Sequence, residues 1–482
     1  MKKLYTLLLL SLMGVTTLEA QNIVFADTAF KNALINNVQL IDINDDSEIS
    51  IQEASTVNAL DVKNANIKDL SGIEYFTALT QLDCEKNAIT ALNLTSNTLL
   101  KFLNCSNNKL TDLKLGDLDE LYHLECQFNQ LTNIDLSKLI GLKELSVRGN
   151  LITNVSLSSN TLLAYFDCGA NALKTLDLSK NAGLLQLTCD QNQLDNLQIS
   201  NLASLNLLVC SANKLSKINL ASNDSLTVLE LNDNRLDSIS FSNTKFLTKL
   251  NLANNKLKTI DVSLLDSLVE FSCEANSLDS INISNNRKFK QLNVAYNNIQ
   301  TIDLSYNTDL ISFNSRNNQI ATIDFSSNLL LTDVNCAHNQ LLLMNIASNT
   351  KLTSLNCDTN ALFALDLSSN SLLEKLHCNH NELSKLDLTA NAALTFVDCA
   401  LNTDLKYICT AASHDTTAWL KSSWSQWNVD CATVGIEDEL VFREREVLKI
   451  VDFLGREVDP KNLKAGVYIY IYTDGTKEKI GR

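Results

Sequence analysis

Proline and glycine are scarce in this chain of 482 residues, which contains one proline and 12 glycines. Sandwiches and barrels use both residue types in their many tight turns, so the composition disfavours such folds for most of the chain. Aromatic residues are also few, at 6%, yet hydrophobic residues make up 45% of the sequence. That fraction is too high for a disordered chain, so we expect a folded protein.

Positive charge is in short supply as well. The chain has 39 lysine and arginine residues against 55 aspartate and glutamate residues, which gives a net charge of −16. Nucleic acids and anionic lipids are bound through basic surfaces, and no basic stripe is visible, so we expect neither partner. No apolar run beyond the N-terminus approaches the ~20 residues of a membrane helix, so we expect no membrane span.

The first 20 residues have the layout of a secretory signal peptide. Two lysines precede an apolar run of about 12 residues, and a polar stretch follows. We expect cleavage after Ala20 and a mature protein that is secreted or held at the outer cell surface.

Cysteine recurs at a fixed interval in the centre of the chain. Steps of 21 residues from Cys84 to Cys399 define sixteen positions, and eleven of them are cysteine. Asparagine follows every one of these positions by three residues, and Leu, Phe or Val precedes every one by two. This register predicts stacked coils that share one continuous core. The remaining five positions are occupied by Val147, Leu231, Leu252, Val294 and Ser315.

Each repeat contains two similar halves. In residues 352–372 the first half is L-x-x-L-x-C-x-x-N-x-L and the second is x-x-L-x-L-x-x-N-x-x. L-x-C and L-x-L place apolar side chains on one face with a period of two, so we predict a short strand in each half. The asparagines come where the chain turns inward, and we expect their side chains to bond backbone groups that the bend leaves unpaired.

These motifs resemble the leucine-rich repeat family, in particular its 21-residue bacterial class with two nested half-repeats. The resemblance covers about residues 60–405, and "IKDLSGIEYFTALTQL" (67–82) resembles a 22-residue internalin-like repeat that would form the first coil. The predicted fold is a leucine-rich repeat β-solenoid of about 16 coils. A short helical N-terminal cap over 21–59 and a small C-terminal β-sandwich would complete it.

Three roles compete for the repeating cysteines. Metal ligands must converge on one point, whereas these thiols run along the stack, one per coil. In-register parallel strands hold Cβ atoms about 4.8 Å apart, beyond the ~3.5–4.5 Å of a disulfide. Leucine or valine replaces cysteine in four coils. We therefore predict that the thiols are small buried apolar groups without chemistry.

Two further cysteines, Cys409 and Cys431, lie off the 21-residue grid in a segment over 406–434. In an exported protein such a pair is expected to form a disulfide. The segment also holds three tryptophans. We predict a C-terminal cap in which they cover the open end of the stack, with an aromatic ligand site as the alternative. The tryptophans are Trp419, Trp424 and Trp427.

The N-terminal cap contains "DINDDSEISIQE" (42–53), which fits the loop of a calcium-binding EF-hand at its informative positions. Ser47 replaces the glycine that favours the sharp turn. Two roles fit this loop, a solvated acidic turn, which we favour slightly, and a Ca²⁺ site; either role would be structural, and we expect no other cofactor. The predicted ligands, at loop positions 1, 3, 5, 7 and 12, are Asp42, Asn44, Asp46, Glu48 and Glu53.

Residues 435–482 lack the repeat and alternate apolar and polar residues, as strands of a small sandwich do. The pieces "DFLGREV" (452–458), "GVYIY" (466–470) and "DGTKEKI" (474–480) resemble the C-terminal sorting domain of the type IX secretion system of Bacteroidota. The resemblance implies recognition by the outer-membrane secretion machinery. Removal of the tail, with release or attachment at the cell surface, would follow.

No catalytic motif stands out. The sequence has no Gly-rich phosphate loop and no G-x-S-x-G. The outer side of two neighbouring coils carries His377, His380 and Asp398. These residues could form a surface metal site, or His377 and Asp398 could form a His–Asp pair that lacks a nucleophile. The outward carboxylates of a flat strand surface have no desolvated cleft in which to act as acid and base. We expect the protein not to be an enzyme.

The outward positions of the first-half strands form a column of aromatic and charged residues. Aromatic side chains and arginine on a rigid face are the usual anchors of a recognition surface. We therefore predict an adhesin-like protein that binds a protein or a glycan on its repeat face. The candidate binding residues are Phe102, Tyr122, His123, Phe128, Glu144, Arg148 and Tyr165.

The opposite face carries a column of serines, including Ser137, Ser179, Ser263 and Ser305, beside a column of aspartates. Such a flat ladder suits a lattice such as ice or a polysaccharide, or it is the turn-forming, solubilising side of the repeat. A further alternative is a structural solenoid of a surface layer or matrix, without a specific ligand.

Overall fold

The repeats fold as the 21-residue period predicts. The computed structural model describes residues 21–37, 40–428, 447–452, 456–459, 467–472 and 477–481. They form a leucine-rich repeat β-solenoid of about 18 turns with very little helix. The chain divides into two compact units, residues 1–152 and 153–482. The predicted signal peptide lies outside the described residues.

The number of turns exceeds the sixteen predicted coils because the stack continues beyond both ends of the cysteine grid. A strand over Ala59–Asp61 precedes the first grid position. Beyond the last one, Leu420 forms a parallel bridge with Asp398.

Unit 1 begins with two short helices, α1 (Thr28–Ile35) and α2 (Ile51–Ala54). The Asp27 carboxylate accepts a hydrogen bond from the Ala29 N–H at 2.7 Å and so caps α1. α2 starts with a capping box, in which Ser50 and Glu53 each accept a backbone N–H bond from the other residue. No described helix is long and apolar enough to cross a membrane.

The coils of unit 1 stack through parallel strands in register. The strands are β1 (Ala59–Asp61), β2 (Gln81–Asp83), β3 (Ala91–Asn93), β4 (Phe102–Asn104), β5 (Asp112–Lys114), β6 (His123–Glu125) and β7 (Glu144–Ser146), and a 3-10 turn spans Ile73–Tyr75. β1, β2, β4, β6 and β7 pair in that order. β3 pairs with β5 on the other side of the coils. The central residue of each first-half strand is buried, and its neighbours point outward.

Unit 2 repeats the same arrangement. Its repeat and cap strands are β8 (Tyr165–Asp167), β9 (Gln186–Thr188), β10 (Leu207–Val209), β11 (Val228–Glu230), β12 (Lys249–Asn251), β13 (Glu270–Ser272), β14 (Gln291–Asn293), β15 (Ser312–Asn314), β16 (Asp333–Asn335), β17 (Ser354–Asn356), β18 (Lys375–His377), β19 (Leu386–Asp387), β20 (Phe396–Asp398), β21 (Tyr407–Cys409) and β22 (Gln426–Asn428). β8 to β18 and then β20 form a parallel sheet, each strand paired with the residues 21 positions on.

The grid asparagines join neighbouring coils, as expected from their place at the bend. The Asn192 side-chain N–H donates to the carbonyls of Cys168, Cys189 and Asp190 at 2.9, 3.2 and 3.1 Å. Its Oδ1 accepts the backbone N–H of Leu173 at 2.9 Å. One amide thus closes its own turn and bonds the coil before it.

The prediction of a strand in every second half is wrong. Among the described residues β3, β5 and β19 lie in second halves, and β21 continues the column of β19 in the predicted cap segment. The second-half asparagines bond neighbouring coils with or without a strand. The Asn181 Nδ2 donates to the carbonyls of Leu157 and Asn160 at 3.3 and 2.8 Å. Asn391, which follows β19, donates to the carbonyls of Leu367 and Asn370 in the same way. In most second halves the leucines of the L-x-L pattern are buried although the segment forms no strand. A sequence period of two therefore does not distinguish a paired strand from an extended segment without strand pairing.

The eleven grid cysteines are free and buried. Burial raises the pKa of the Cys126 and Cys273 thiols to about 12. The Cys357 thiol lies 3.4 Å from the His377 carbonyl in the next coil and donates a weak hydrogen bond to it. The Cys126 and Cys273 thiols therefore stay protonated at neutral pH, and all eleven cysteines pack as small buried groups, as predicted.

A different arrangement closes the last coils of unit 2. Trp419 is 5% exposed, and its indole N–H donates to the Thr395 carbonyl at 3.2 Å. Trp427 packs edge-on against it, with 5.7 Å between ring centroids. Trp424 remains about half exposed. Cys409 is buried in β21, but Cys431 lies outside the described residues, so their disulfide stays a prediction.

The C-terminal segment forms an antiparallel sheet of β23 (Val447–Asp452), β24 (Val467–Tyr472) and β25 (Lys477–Gly481). The described residues include no second sheet facing it, so the predicted sandwich stays a prediction.

The one serine on the cysteine grid generates a stability prediction. Ser315 is 0% exposed, and its hydroxyl has no hydrogen-bond partner among the described residues. Because an unpaired buried polar group costs about 1–3 kcal/mol, Ser315→Ala is expected to raise the free energy of unfolding by about 1 kcal/mol. Urea denaturation measures the change.

The matched control is Ser280→Ala, at an exposed serine in the same unit, which is expected to leave stability unchanged. A loss of stability in Ser315→Ala would mean that the hydroxyl has a partner or that the site tolerates no change in volume.

Candidate functional site

The predicted binding column takes shape on three neighbouring strands of unit 1. Phe102 begins β4, His123 begins β6 and Glu144 begins β7, and the pairing register sets them side by side. The rings of Phe102 and His123 stack with 4.6 Å between centroids and 15° between planes. A simple outward column would leave both side chains fully exposed. Because the two rings cover each other, both side chains are instead half-buried.

Two carboxylates hold the His123 ring. Its Nδ1 lies 2.8 Å from Glu144 Oε2, and its Nε2 lies 3.1 Å from Glu125 Oε1. The Gln127 side-chain N–H extends this network by donating to Glu125 Oε2 at 3.2 Å. The predicted set omitted Glu125. Its signal is the two-residue spacing from His123, which puts both side chains on the same face of β6.

Two exposed aromatic rings accompany the stacked pair in unit 1. Tyr122 is 42% exposed and Phe128 is 51% exposed. Phe128 has a positive φ of 56°, and its backbone N–H donates to the Arg148 carbonyl at 2.8 Å. A Cβ on Gly149 would lie 2.6 Å from Phe128 Cδ1. The Phe128 ring can therefore lie directly against position 149 only because glycine has no side chain there.

Sequence reasoning missed Gly149, although a signal for it exists. The residue two places after each grid position adopts a left-handed conformation in coil after coil, as Ala170, Gln191 and Ala212 do. Glycine occurs at this column only at position 149. The turn does not require glycine at this position, because other residues adopt the left-handed conformation in other coils. The contact with the Phe128 ring explains the glycine at position 149 better.

The seven predicted residues are distributed over both units. Six of them lie in unit 1, where Phe102, His123 and Glu144 are in contact. Arg148 is half-buried in the same unit. Tyr165 begins β8 of unit 2 and is 40% exposed.

The acidic loop over 42–53 is held by its own backbone. The Asp42 carboxylate accepts the N–H groups of Asp46 and Ser47 at 3.2 and 2.9 Å, and Asp46 Oδ1 accepts the N–H of Glu48 at 2.8 Å. Asn44 Oδ1 accepts the same Asp46 N–H at 3.1 Å. Ser47 has a φ of 63°, so it adopts the conformation for which the EF-hand prefers glycine.

The last predicted ligand faces the inside of the loop. Glu53 is 8% exposed, and its carboxylate accepts bonds from the Ser50 N–H and hydroxyl, both at 2.8 Å, and from the Ile43 N–H at 3.0 Å. Burial by itself would raise the pKa of Glu53, but these hydrogen bonds lower it. The side chain of Glu48 forms an ion pair with Lys31. In the described part of the chain no three His, Cys, Asp or Glu side chains converge on one point to hold a metal.

The histidines near the C-terminal end of the repeats have structural contacts. His377 and Asp398 are register partners on β18 and β20. The His377 ring lies 4.9 Å from the Phe396 ring, and Asp398 Oδ2 accepts the Asn379 side-chain N–H at 2.7 Å. No nucleophile accompanies this pair in the contacts described.

The serine column closes local turns. The backbone N–H of Ser179 donates to Asp177 Oδ1 at 2.9 Å, and Ser263 and Ser305 donate to their own aspartates in the same way. Hydrogen bonds from the Ser179 backbone and side chain lower the pKa of Asp177. This geometry favours the turn-forming role over a surface for lattice binding.

With its parallel strands, asparagine turns and buried columns, the chain has the fold of a leucine-rich repeat solenoid. No family model matches the sequence. Over 50 residues it is 46% identical to internalin J of Listeria monocytogenes serotype 4b. That match covers 10% of this chain and 6% of the length of internalin J.

Solved structures of the same fold cover most of the chain. The functional domain of InlJ from Listeria monocytogenes, described as including a cysteine ladder, matches over 90% of this chain and 92% of its own, with a TM-score of 0.55 and 23% identity. InlF of the same species matches over 74% and 98%, with a TM-score of 0.57 and 22% identity. The plant peptide hormone receptor RGFR1, in complex with RGF2, matches over 76% and 67%, with a TM-score of 0.64 and 20% identity. At these identities the likeness shows the fold alone.

Proposed function

We propose that the protein is an exported, adhesin-like binding protein, not an enzyme, and that it recognises a protein or a glycan through the aromatic face of unit 1. The observation that carries the proposal is the stacked Phe102–His123 pair between Glu125 and Glu144. A mixed surface of aromatic rings and charges is typical of recognition anchors.

The rigidity of this face supports a role in binding. The stacked rings stand on strands that are paired in register, and both ring nitrogens of His123 contact a carboxylate. Gly149 sets the position of the Phe128 ring. Side chains that are already ordered lose little conformational freedom when a ligand binds, so little of the interaction energy is lost to ordering.

The structures of the same fold also favour binding over catalysis. They include two internalins and a receptor described in complex with its peptide hormone. Because the plant receptor RGFR1 is described in complex with RGF2, proteins and peptides are the first class of ligand to test.

We further propose that the chain reaches the cell exterior by the type IX secretion machinery. The signal-peptide layout of residues 1–20 and the three motifs of the C-terminal tail support this route. The described tail strands β23, β24 and β25 agree with the alternating pattern from which the sorting domain was predicted. An oxidising exterior also suits the proposed Cys409–Cys431 disulfide.

Calcium binding by the acidic loop remains a proposal of its own. The loop geometry around Ser47 supports it, and we expect Asp42→Asn to weaken Ca²⁺ binding at least about tenfold, because it removes a carboxylate ligand at loop position 1. Isothermal titration calorimetry measures the affinity.

The control for this experiment is Asp45→Asn, which makes the same change in charge at a loop position that is not a ligand. Equal weakening in both variants, or no binding by the unchanged protein, would favour the solvated acidic turn instead.

The binding face is tested with the full-length protein on protein and glycan arrays and on intact cells. Phe102→Ala/Tyr122→Ala is expected to weaken specific binding at least tenfold, because it removes two aromatic anchors. Tyr306→Ala, at a 47%-exposed tyrosine in unit 2, is the matched control.

A second pair of variants tests the same face without removing a ring. Gly149→Ala places a methyl group against Phe128 and is expected to weaken binding, whereas Gly183→Ala, which meets no atom within 4 Å, is not. Specific binding that survives Phe102→Ala/Tyr122→Ala and Gly149→Ala would place the site elsewhere. No specific binding by the unchanged protein would favour the structural solenoid.

A further inference from the structure

An apolar surface of the repeats contacts the C-terminal sheet. In the sheet, Val451, Ile469 and Ile471 form a buried cluster, at 2%, 2% and 8% exposure. Val451 and Ile469 are opposite each other in the pairing of β23 with β24, so they share one face of the sheet. Two partly buried residues of the repeats, Leu343 and Phe363, pack against this cluster.

The repeat columns that hold these two residues are polar further back along the stack. Going back from Leu343 in steps of 21 residues gives Thr322, Thr301 and Ser280. Going back from Phe363 gives Leu342, Ala321, Gln300 and Asp279. The columns therefore change from polar to apolar as they reach the coils on which the sheet lies. The stacking of the repeats does not require this change, because the earlier coils stack with polar residues at the same positions.

The sheet itself needs a partner. It has three strands of 6, 6 and 5 residues in a single layer, and the apolar face of a single sheet has to be buried against another element. Its described cluster contains three aliphatic side chains, which is too few for an independent core. The adjoining repeats form a rigid, already folded surface.

We propose that Leu343 and Phe363 form an intramolecular docking site whose occupant is the C-terminal sheet. The repeats order the sheet by covering its apolar face, and the sheet in turn covers an apolar surface that the repeats would otherwise expose to water. The sheet is thus displayed at a defined place on unit 2 and does not hang from a linker. The site lies in unit 2 and involves none of the proposed ligand-binding residues of unit 1, so either proposal can fail without the other.

Hydrogen exchange of the full-length protein tests this docking. Leu343→Ser/Phe363→Ser is expected to speed exchange of the backbone amides of β23 and β24 about tenfold or more, because the sheet loses its apolar partner. Exchange in the earlier coils of unit 2 is expected to stay as it was. The matched control is Leu264→Ser/Phe246→Ser, which alters residues 57% and 54% exposed in the same unit and is expected to leave the sheet unchanged.

A reciprocal variant covers the case in which the serine substitutions disturb the repeats themselves. Ile469→Ser changes the sheet and leaves the sequence of the repeats unaltered. If the sheet docks on the repeats, this substitution speeds exchange at residues 341–344 and 361–364, which are far from Ile469 in sequence. Unchanged exchange at these repeat residues, or unchanged exchange of β23 and β24 in Leu343→Ser/Phe363→Ser, would overturn the proposal.

Discussion

The repeats depend on one side-chain amide per coil that satisfies backbone groups which the bend would otherwise leave unpaired. Asn192 shows the pattern: its Nδ2 reaches carbonyls in its own coil and in the preceding one, and its Oδ1 accepts a backbone N–H. A buried carbonyl without a partner costs as much as a lost hydrogen bond, and the chain would meet that cost once in every turn. Asparagine is suited to this place because its short side chain carries both a donor and an acceptor. Its presence in all sixteen repeats follows from this requirement.

The role of the cysteines follows from the same geometry. Each lies three residues before such an asparagine, on the inward side of a short strand, where leucine and valine serve equally well in other coils. These thiols are buried away from solvent, and burial raises the pKa of Cys126 to about 12. The interior is occupied by packing and backbone bonding, so the proposed recognition would take place on the exterior. There the register of the strands sets one side chain of each coil beside the next.

The repeat period predicted the coils, the buried columns and the bonding role of asparagine. It also predicted that Phe102, His123 and Glu144 would be neighbours, because residues 21 positions apart are register partners in this fold. The period did not predict which second halves form strands, since buried leucines occur there with and without strand pairing. Glu125 and Gly149 were missed because their roles come from side-chain contacts with His123 and Phe128. The contact between the C-terminal sheet and the repeats was not predicted either. The sheet does not share the 21-residue period, so the period gives no register between the two segments.

Thiol titration of the native protein without reductant tests the central claim most directly. The protein has 13 cysteines, and the eleven on the grid are buried and free. They are expected to be unreactive in the folded protein and to react fully once it is denatured, still without reductant. The remaining two, Cys409 and Cys431, are expected to react only after reduction. Grid thiols that react in the folded protein, or that stay blocked after denaturation because they are bridged or bound to metal, would contradict the account.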